Sequence, residues 1–205
     1  MTQTRFSYFT LPHYPGPEIA ATEPFSARHL PTPIRVRRGV PIGMDFPPTT
    51  EVALSSKSGP RFTDFIYTTS RLLLATERVC DLFLAEGVTR EQAEYLPFVL
   101  KDKKGKVRPE KYFLINPLLK VPCFDFDRAD YSLFTGEAVS TPGVKEISTI
   151  RKLQVREEHI PADAKLFRLA EEPDVKLIRS DLLDALKSRD MDGGLVTLPL
   201  GEFLT

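Results

Sequence analysis

Three aspartates crowd one short stretch, Asp125, Asp127 and Asp130 in Phe124-Asp-Phe-Asp-Arg-Ala-Asp-Tyr131. On a strand over Cys123–Asp127, Asp125 and Asp127 share a face, and paired carboxylates are hard oxygen ligands suited to Mg²⁺ or Ca²⁺. The twelve-residue calcium loop fails, because its sixth position lacks glycine and its twelfth lacks glutamate. An acidic solvent face alternating with Phe124 and Phe126 explains the same residues, so neither metal nor cofactor is expected. His13, His29 and His159 share no helical face and have no nucleophile at a recognisable spacing. Cys80 and Cys123 make neither a disulfide framework nor a zinc pair. A Cys–His pair assembled by folding stays open, but the nucleophile-elbow, phosphate-loop and dinucleotide patterns are absent. The residues give no positive sign of an enzyme.

Charge is the other chemical resource. The 205 residues carry 28 Lys+Arg and 28 Asp+Glu, a balance that argues against a general nucleic-acid binder. The balance hides a split: residues 116–205 hold 12 basic and 16 acidic side chains, so that part is −4 and residues 1–115 are +4. Glu157, Glu158, Glu171, Glu172 and Asp174 cluster in the predicted loops of the acidic part. A field of that sign steers a basic partner and speeds its association. The basic run Lys101–Lys111 reads as a solvated hairpin tip whose charges discourage edge-to-edge pairing.

The elements that must position these groups fall into two regimes. Residues 1–60 hold ten of the 18 prolines, each fixing φ and removing a donor, so this third reads as extended chain and short edge strands at Arg5–Thr10 and Glu51–Ser56. Its apolar residues (Phe6, Tyr8, Phe9, Ile34, Val36, Ile42, Phe46) favour packing on the body over a disordered arm of the same composition. From residue 61 onward the pattern becomes periodic. Phe62–Thr68 is a strand, and Leu72–Leu74, Val79, Leu82 and Phe83 recur at helical spacing with Thr69 or Ser70 as N-cap and Gly87 as stop. Cys80 sits near that stripe as a small buried hydrophobe.

Tyr95–Leu100 and Tyr112–Ile115 read as a hairpin, Leu119–Phe126 as another strand and Lys145–Leu153 as extended chain. Lys165–Ala170 and Val175–Ile178 bracket a turn at Glu172–Asp174. Ser180 caps a helix to about Arg189, and Leu195–Leu200 returns as a strand. Asp64–Leu73 echoes Asp174–Leu183 at an offset of 110 residues, a strand, a hydroxyl cap and paired leucines each time. The fold class expected is α+β, with short, mainly antiparallel strands and few helices. A Pro-rich extension over residues 1–60 packs on a body over residues 61–205. No apolar run approaches the roughly 20 residues of a membrane span. The N-terminus lacks a signal-peptide pattern, so a cytoplasmic protein is expected.

An ordered series of motifs carries a family resemblance. Tyr112-Phe-Leu-Ile-Asn-Pro-Leu118, Pro122-Cys-Phe-Asp125, Ser132, Leu166-Phe-Arg-Leu169, Ile178-Arg-Ser-Asp-Leu-Leu183 and Gly194-Leu-Val-Thr-Leu-Pro-Leu200 follow in order. The series resembles immunity-protein family eleven, a myxobacterial-type family of bacterial polymorphic-toxin systems. It covers residues 60–200, and the Pro-rich third lies outside it. Gly193-Gly194-Leu195-Val196 departs from the family, which places an aromatic after the glycine.

The resemblance implies a non-enzymatic antidote that binds a cognate secreted toxin, encoded beside it, and spares the producing cell during interbacterial competition. Toxins beside this family are often metal-dependent nucleases. A nuclease holds phosphates on a basic surface, which an acidic binder can imitate. On charge alone, Glu157, Glu158, Glu171, Glu172 and Asp174 are the expected toxin contacts. Two other classes stay open: a small metal-dependent hydrolase using Asp125, Asp127 and Asp130, and a scaffold protein docking through the Pro-rich third.

Overall fold

Along the hairpin strand β6 (Ala93–Lys101) the buried side chains are Ala93 and Tyr95, then Phe98 and Leu100. The alternation changes phase at Pro97, so the first half of the strand packs on one face of its sheet and the second half on the other. A computed structural model describes residues 7–10, 16–25, 33–47, 49–134 and 147–201, and all statements of structure concern these. β6 pairs antiparallel with β7 (Tyr112–Pro117), from Ala93 opposite Pro117 to Phe98 opposite Tyr112, as its sequence predicts. The strand on its other side, β3 (Glu51–Ala53), reaches only Val99–Lys101. Pro97 therefore sits where no neighbour on that side needs its missing amide.

Two larger sheets and one hairpin make up the body. Six strands run in the order β2 (Ala21–Thr22), β4 (Phe65–Thr68), β5 (Leu73–Thr76), β7, β6 and β3. Five run in the order β13 (Leu198–Pro199), β1 (Tyr8–Thr10), β12 (Lys176–Arg179), β11 (Leu166–Leu169) and β8 (Lys120–Val121). β9 (Asp130–Leu133) pairs antiparallel with β10 (Ile147–Lys152). Seven of the ten strand pairings are antiparallel, and α1 (Pro33–Arg37), α2 (Glu77–Ala85) and α3 (Ser180–Ser188) are the described α-helices. This is the α+β class that the residue pattern predicts.

Both faces of the six-stranded sheet are covered. One packs Leu73, Ala75, Tyr95 and Ile115 against Val79 and Phe83 of α2 and Leu182 and Leu186 of α3. The other packs Leu74, Phe98, Leu100 and Leu114 against Phe25, Val36, Ile42 and Phe46 from the Pro-rich third. The five-stranded sheet shares the helical core through Leu166 and Ile178. Its far side meets Ile147, Ile150, Leu153, Val155 and Ile160. The first sixty residues also supply β1, which lies inside the five-stranded sheet.

The strand over Leu73–Thr76 replaces the first turn of the predicted helix. A strand buried on both faces has no polar alternation, so four successive apolar residues read equally as one side of a helix. The helix begins at Glu77, and the Thr76 hydroxyl donates to Asp64 Oδ1 at 2.7 Å instead of capping it. Ser180 is likewise the first residue of α3 and not its cap, and its hydroxyl oxygen accepts from the Ser7 amide at 3.3 Å. The final strand is shorter than Leu195–Leu200, spanning Leu198–Pro199.

The echo at offset 110 does not correspond to a repeated structure. Asp64–Leu73 runs through β4 and a turn into β5, whereas Asp174–Leu183 runs through β12 into α3. A repeat exists at a different offset, 103 residues, the step from Glu77 to Ser180. Two antiparallel strands followed at once by a nine-residue helix recur as β4–β5–α2 and β11–β12–α3. Each helix ends in a left-handed residue, Gly87 (φ 89°) and Asp190 (φ 53°). Matching amides close the turns, Gly87 N to Leu84 O with Val88 N to Phe83 O, and Asp190 N to Lys187 O with Met191 N to Leu186 O. The motif terminates a helix whatever its sequence, because it satisfies the orphan carbonyls of the last turn.

Arg168 of β11 ties these layers together. It is 1% exposed. Its Nε donates to Pro117 O (2.6 Å), Nη1 to Arg37 O (2.8 Å) and Pro173 O (2.7 Å), and Nη2 to Val36 O (2.9 Å) and Asn116 Oδ1 (3.2 Å). All five donors of the fork are thereby used, on acceptors from α1, β7 and the β11–β12 turn. Asn116 in turn donates to Val40 O and to Glu94 Oε2, and the Glu94 carboxylate accepts from the Ile42 and Gly43 amides. Gly39 makes room for this arrangement. Its φ is +60°, and a Cβ there would lie 2.7 Å from Arg168 Cδ and 2.9 Å from Pro117 O. Gly39→Ala is expected to destabilise the protein by more than about 1 kcal/mol. In urea its unfolding midpoint falls while the slope stays unchanged.

Candidate functional site

The short turn from Glu157 to His159 is a 3-10 helix built on the C-terminal side of β10. It is anchored before its start by Arg156 N to Cys123 O (2.7 Å) and after its end by Ile160, buried in the core beneath, while Ile160 N closes the turn on Glu157 O (3.0 Å). Glu158 points to solvent and Glu157 is half-buried. Both line a cleft of about 320 Å³ together with Asp125, Arg128, Gln154 and Arg156. The walls are largely polar, which suits a charged or hydrogen-bonding occupant. Val155 and Leu200 complete the lining.

The remaining acidic candidates are used inside the fold. Glu171 Oε1 accepts from the Phe124 amide (3.3 Å), and its Oε2 is buried without a partner. Glu172 Oε1 accepts from Asp174 N (3.3 Å), and burial pushes its carboxyl up. Asp174 is 15% exposed and holds two arginines, Arg37 through Nε (3.1 Å) and Nη2, and Arg71 through Nη1 (3.3 Å). Burial pushes its carboxyl up, and the hydrogen bond from Arg37 with the charges of Lys176, Arg37 and Arg71 outweighs that, leaving it below the usual range. Of the five residues predicted from charge, Glu157 and Glu158 share the cleft. Glu171, Glu172 and Asp174 lie on and beside the β11–β12 turn.

The aspartates of the metal alternative do not converge. Asp125 Oδ1 accepts from the amides of Asp127 (3.1 Å) and Arg128 (3.3 Å), holding a turn. Asp127 pairs with Arg156 (2.7 Å) and Asp130 with Arg151 (2.7 Å). Among the described residues no three His, Cys, Asp or Glu side chains are placed to hold a metal ion. Both cysteines are buried, and burial pushes each thiol up to about 12, far from the thiolate a nucleophile needs. His159 is exposed on the cleft turn, whereas His13 and His29 lie outside the described residues. At the Lys101–Lys111 tip, Asp102 Oδ1 accepts from the Lys104 and Lys106 amides and Arg108 pairs with Glu110. No described helix is long and apolar enough to cross a membrane.

Sequence reasoning missed Arg128, Gln154 and Arg156. They join the cleft only because the bridge from Phe124 to Val155 lays the two segments side by side, and no local pattern signals that pairing. It also missed Lys176. That side chain is 3% exposed beside Asp174, and its Nζ donates to Arg71 O and Asp174 O, each at 3.2 Å. Arg71 reaches this position through a left-handed φ of 58°. Burial, then repulsion from Arg168, Arg37 and Arg71, outweighs the attraction of Asp174 and brings the ammonium down to about 7.

An unfolded lysine titrates near 10.4. Between about pH 7 and pH 10 the unfolded chain therefore holds a proton that the folded one has released, and stability rises with pH by up to about 1.4 kcal/mol per unit. Below pH 7 both states are protonated and the full penalty applies. Lys176→Met is expected to flatten this rise, as read from urea midpoints at pH 6 to 9.5. A scan against protein-family models finds no match to this chain, and a search of curated proteins finds none.

Proposed function

We propose that this chain is a cytoplasmic immunity protein that binds and neutralises a cognate secreted toxin, and that it is not an enzyme. The observation that carries the reading is the Glu157–Glu158 turn. Two of the acidic residues expected to meet a basic toxin stand on an anchored element beside a polar cleft. A preorganised acidic surface loses little entropy on docking and speeds encounter with a basic partner. The ordered motif series from Tyr112 to Leu200 supplies the family expectation. The high thiols of Cys80 and Cys123 and the arginine-paired Asp127 and Asp130 favour a binding role over the hydrolase alternative. A metal-dependent nuclease is the toxin class that this acidic face suits.

The test is co-expression with the protein encoded immediately beside this chain. A stable complex that restores growth against a lethal neighbour is the expected outcome. A harmless neighbour that forms no complex ends the reading. Charge reversal by Glu157→Lys with Glu158→Lys is expected to slow association about tenfold at low salt. High salt should narrow that difference in stopped-flow traces.

A further inference from the structure

The geometry points to Arg37 and Arg71, held side by side on Asp174, as a binding site for a doubly charged oxyanion of the phosphate class. This site stands apart from the toxin-binding reading. Both guanidiniums end on one oxygen: Asp174 Oδ2 accepts from Arg37 Nη2 and from Arg71 Nη1 (3.3 Å), and Arg37 Nε reaches Oδ1 at 3.1 Å. The carboxylate is nearly buried beneath them, whereas the side chains of Arg37 and Arg71 are 37% and 57% exposed. Arg37 Nη1 and Arg71 Nε and Nη2 meet no acceptor among the described residues. A guanidinium carries its donors in a planar fork, so one edge can hold Asp174 while another serves a second oxyanion. Two forks fixed by a shared carboxylate are preorganised for a ligand that brings several oxygens.

The surrounding charges are short of an anion. Asp174 also faces Arg168 and Lys176, both buried, and neither of these hydrogen-bonds a carboxylate. The other acid at this turn, Glu172, spends Oε1 on the Asp174 amide and faces Arg37 and the exposed Arg38. Five basic side chains thus share two acidic ones. Counter-charge from solvent cannot reach Arg168 or Lys176, but it can reach Arg37 and Arg71. Burial first, and then the neighbouring arginines, bring Lys176 down to about 7, and an anion over those arginines relieves the second cause. Arg71 supplies an independent sign. Its φ of 58° is uncommon for any residue but glycine, so what an arginine adds at this position is its side chain. A carboxylate or a phosphodiester brings a single charge, whereas a phosphate monoester brings about −1.5 to −2 at pH 7, closer to the deficit.

The test titrates the full isotope-labelled chain, at constant pH and ionic strength, with inorganic phosphate, glycerol phosphate and chloride. Saturating amide shifts are expected at residues 37–39, 70–72 and 172–176 with the phosphates and not with chloride. Tighter binding of inorganic phosphate makes the free ion the source, and tighter binding of glycerol phosphate a phosphorylated small molecule. Arg71→Gly suits the left-handed backbone, keeps the carbonyl that Lys176 uses and removes the fork. It is expected to weaken phosphate about tenfold, the loss of one charge-assisted contact. Arg71→Gln, which keeps a side chain there, should lose as much, whereas Arg108→Gln at the hairpin tip should lose nothing. Equal shifts with chloride, shifts spread over other basic surface, or unchanged affinity in Arg71→Gly and Arg71→Gln overturns the proposal. A neighbouring gene product that forms no complex would end the toxin-binding reading and leave this site standing.

Discussion

A guanidinium buried to 1% exposure with no carboxylate on any of its five donors imposes the constraint around which the rest is arranged. Removing that charge from water costs several kcal/mol unless dipoles replace the lost hydration. Arg168 obtains them from four carbonyls and one side-chain amide, and burial still brings it down to about 10. Those acceptors can converge only if α1, the end of β7 and the β11–β12 turn meet at one point. The Pro-rich third is thus required by the polar interior as much as by its own apolar side chains. Lys176, repelled by Arg168, is held by carbonyls in the same way. Asp174 is the carboxylate that moderates both, with Arg37 and Arg71 around it.

The division between what was legible in the sequence and what was not follows from range. The β6–β7 hairpin and the helix over Ser180–Ser188 are visible because their signals are local: alternation, a charged turn, a leucine pair one turn apart. Leu72–Ala75 misleads because burial on both faces erases the alternation that identifies a strand. The acidic residues of the β11–β12 turn mislead for a related reason. Composition reports that Glu171, Glu172 and Asp174 are charged, and only tertiary placement of Arg37, Arg71 and the Phe124 amide shows that their charge is used internally. The cleft lies at the far limit, since Arg128 and Glu158 meet through a strand bridge between segments thirty residues apart in the chain.

The two strand-pair–helix units give the molecule an approximate internal symmetry that its residues hardly express. Val79, Cys80 and Phe83 face the shared core where Leu182, Leu183 and Leu186 do so one repeat later. Yet Thr76 at the end of one strand answers Arg179 at the end of the other. Arg179 donates to Asp181 through Nε at 2.7 Å and Nη2 at 2.9 Å. With Lys165 adding to that hydrogen bond, Asp181 is pushed down to about 2. The units share backbone geometry and apolar spacing, and differ in the polar groups that lock each to its surroundings.

The strand β1 lies between β12 and β13, so the chain's earliest described strand is hydrogen-bonded only to its latest ones. During synthesis Tyr8–Thr10 emerges long before either partner exists. The six-stranded sheet holds every one of its strands by residue 117, and it can form while the remainder is still being made. The five-stranded sheet cannot close until β12 and β13 have been made, and closing it brings Tyr8 opposite Arg179 and Phe9 opposite Pro199, a long loop to close. Assembly therefore has a built-in order in which the earliest of the described strands is among the last to find its place.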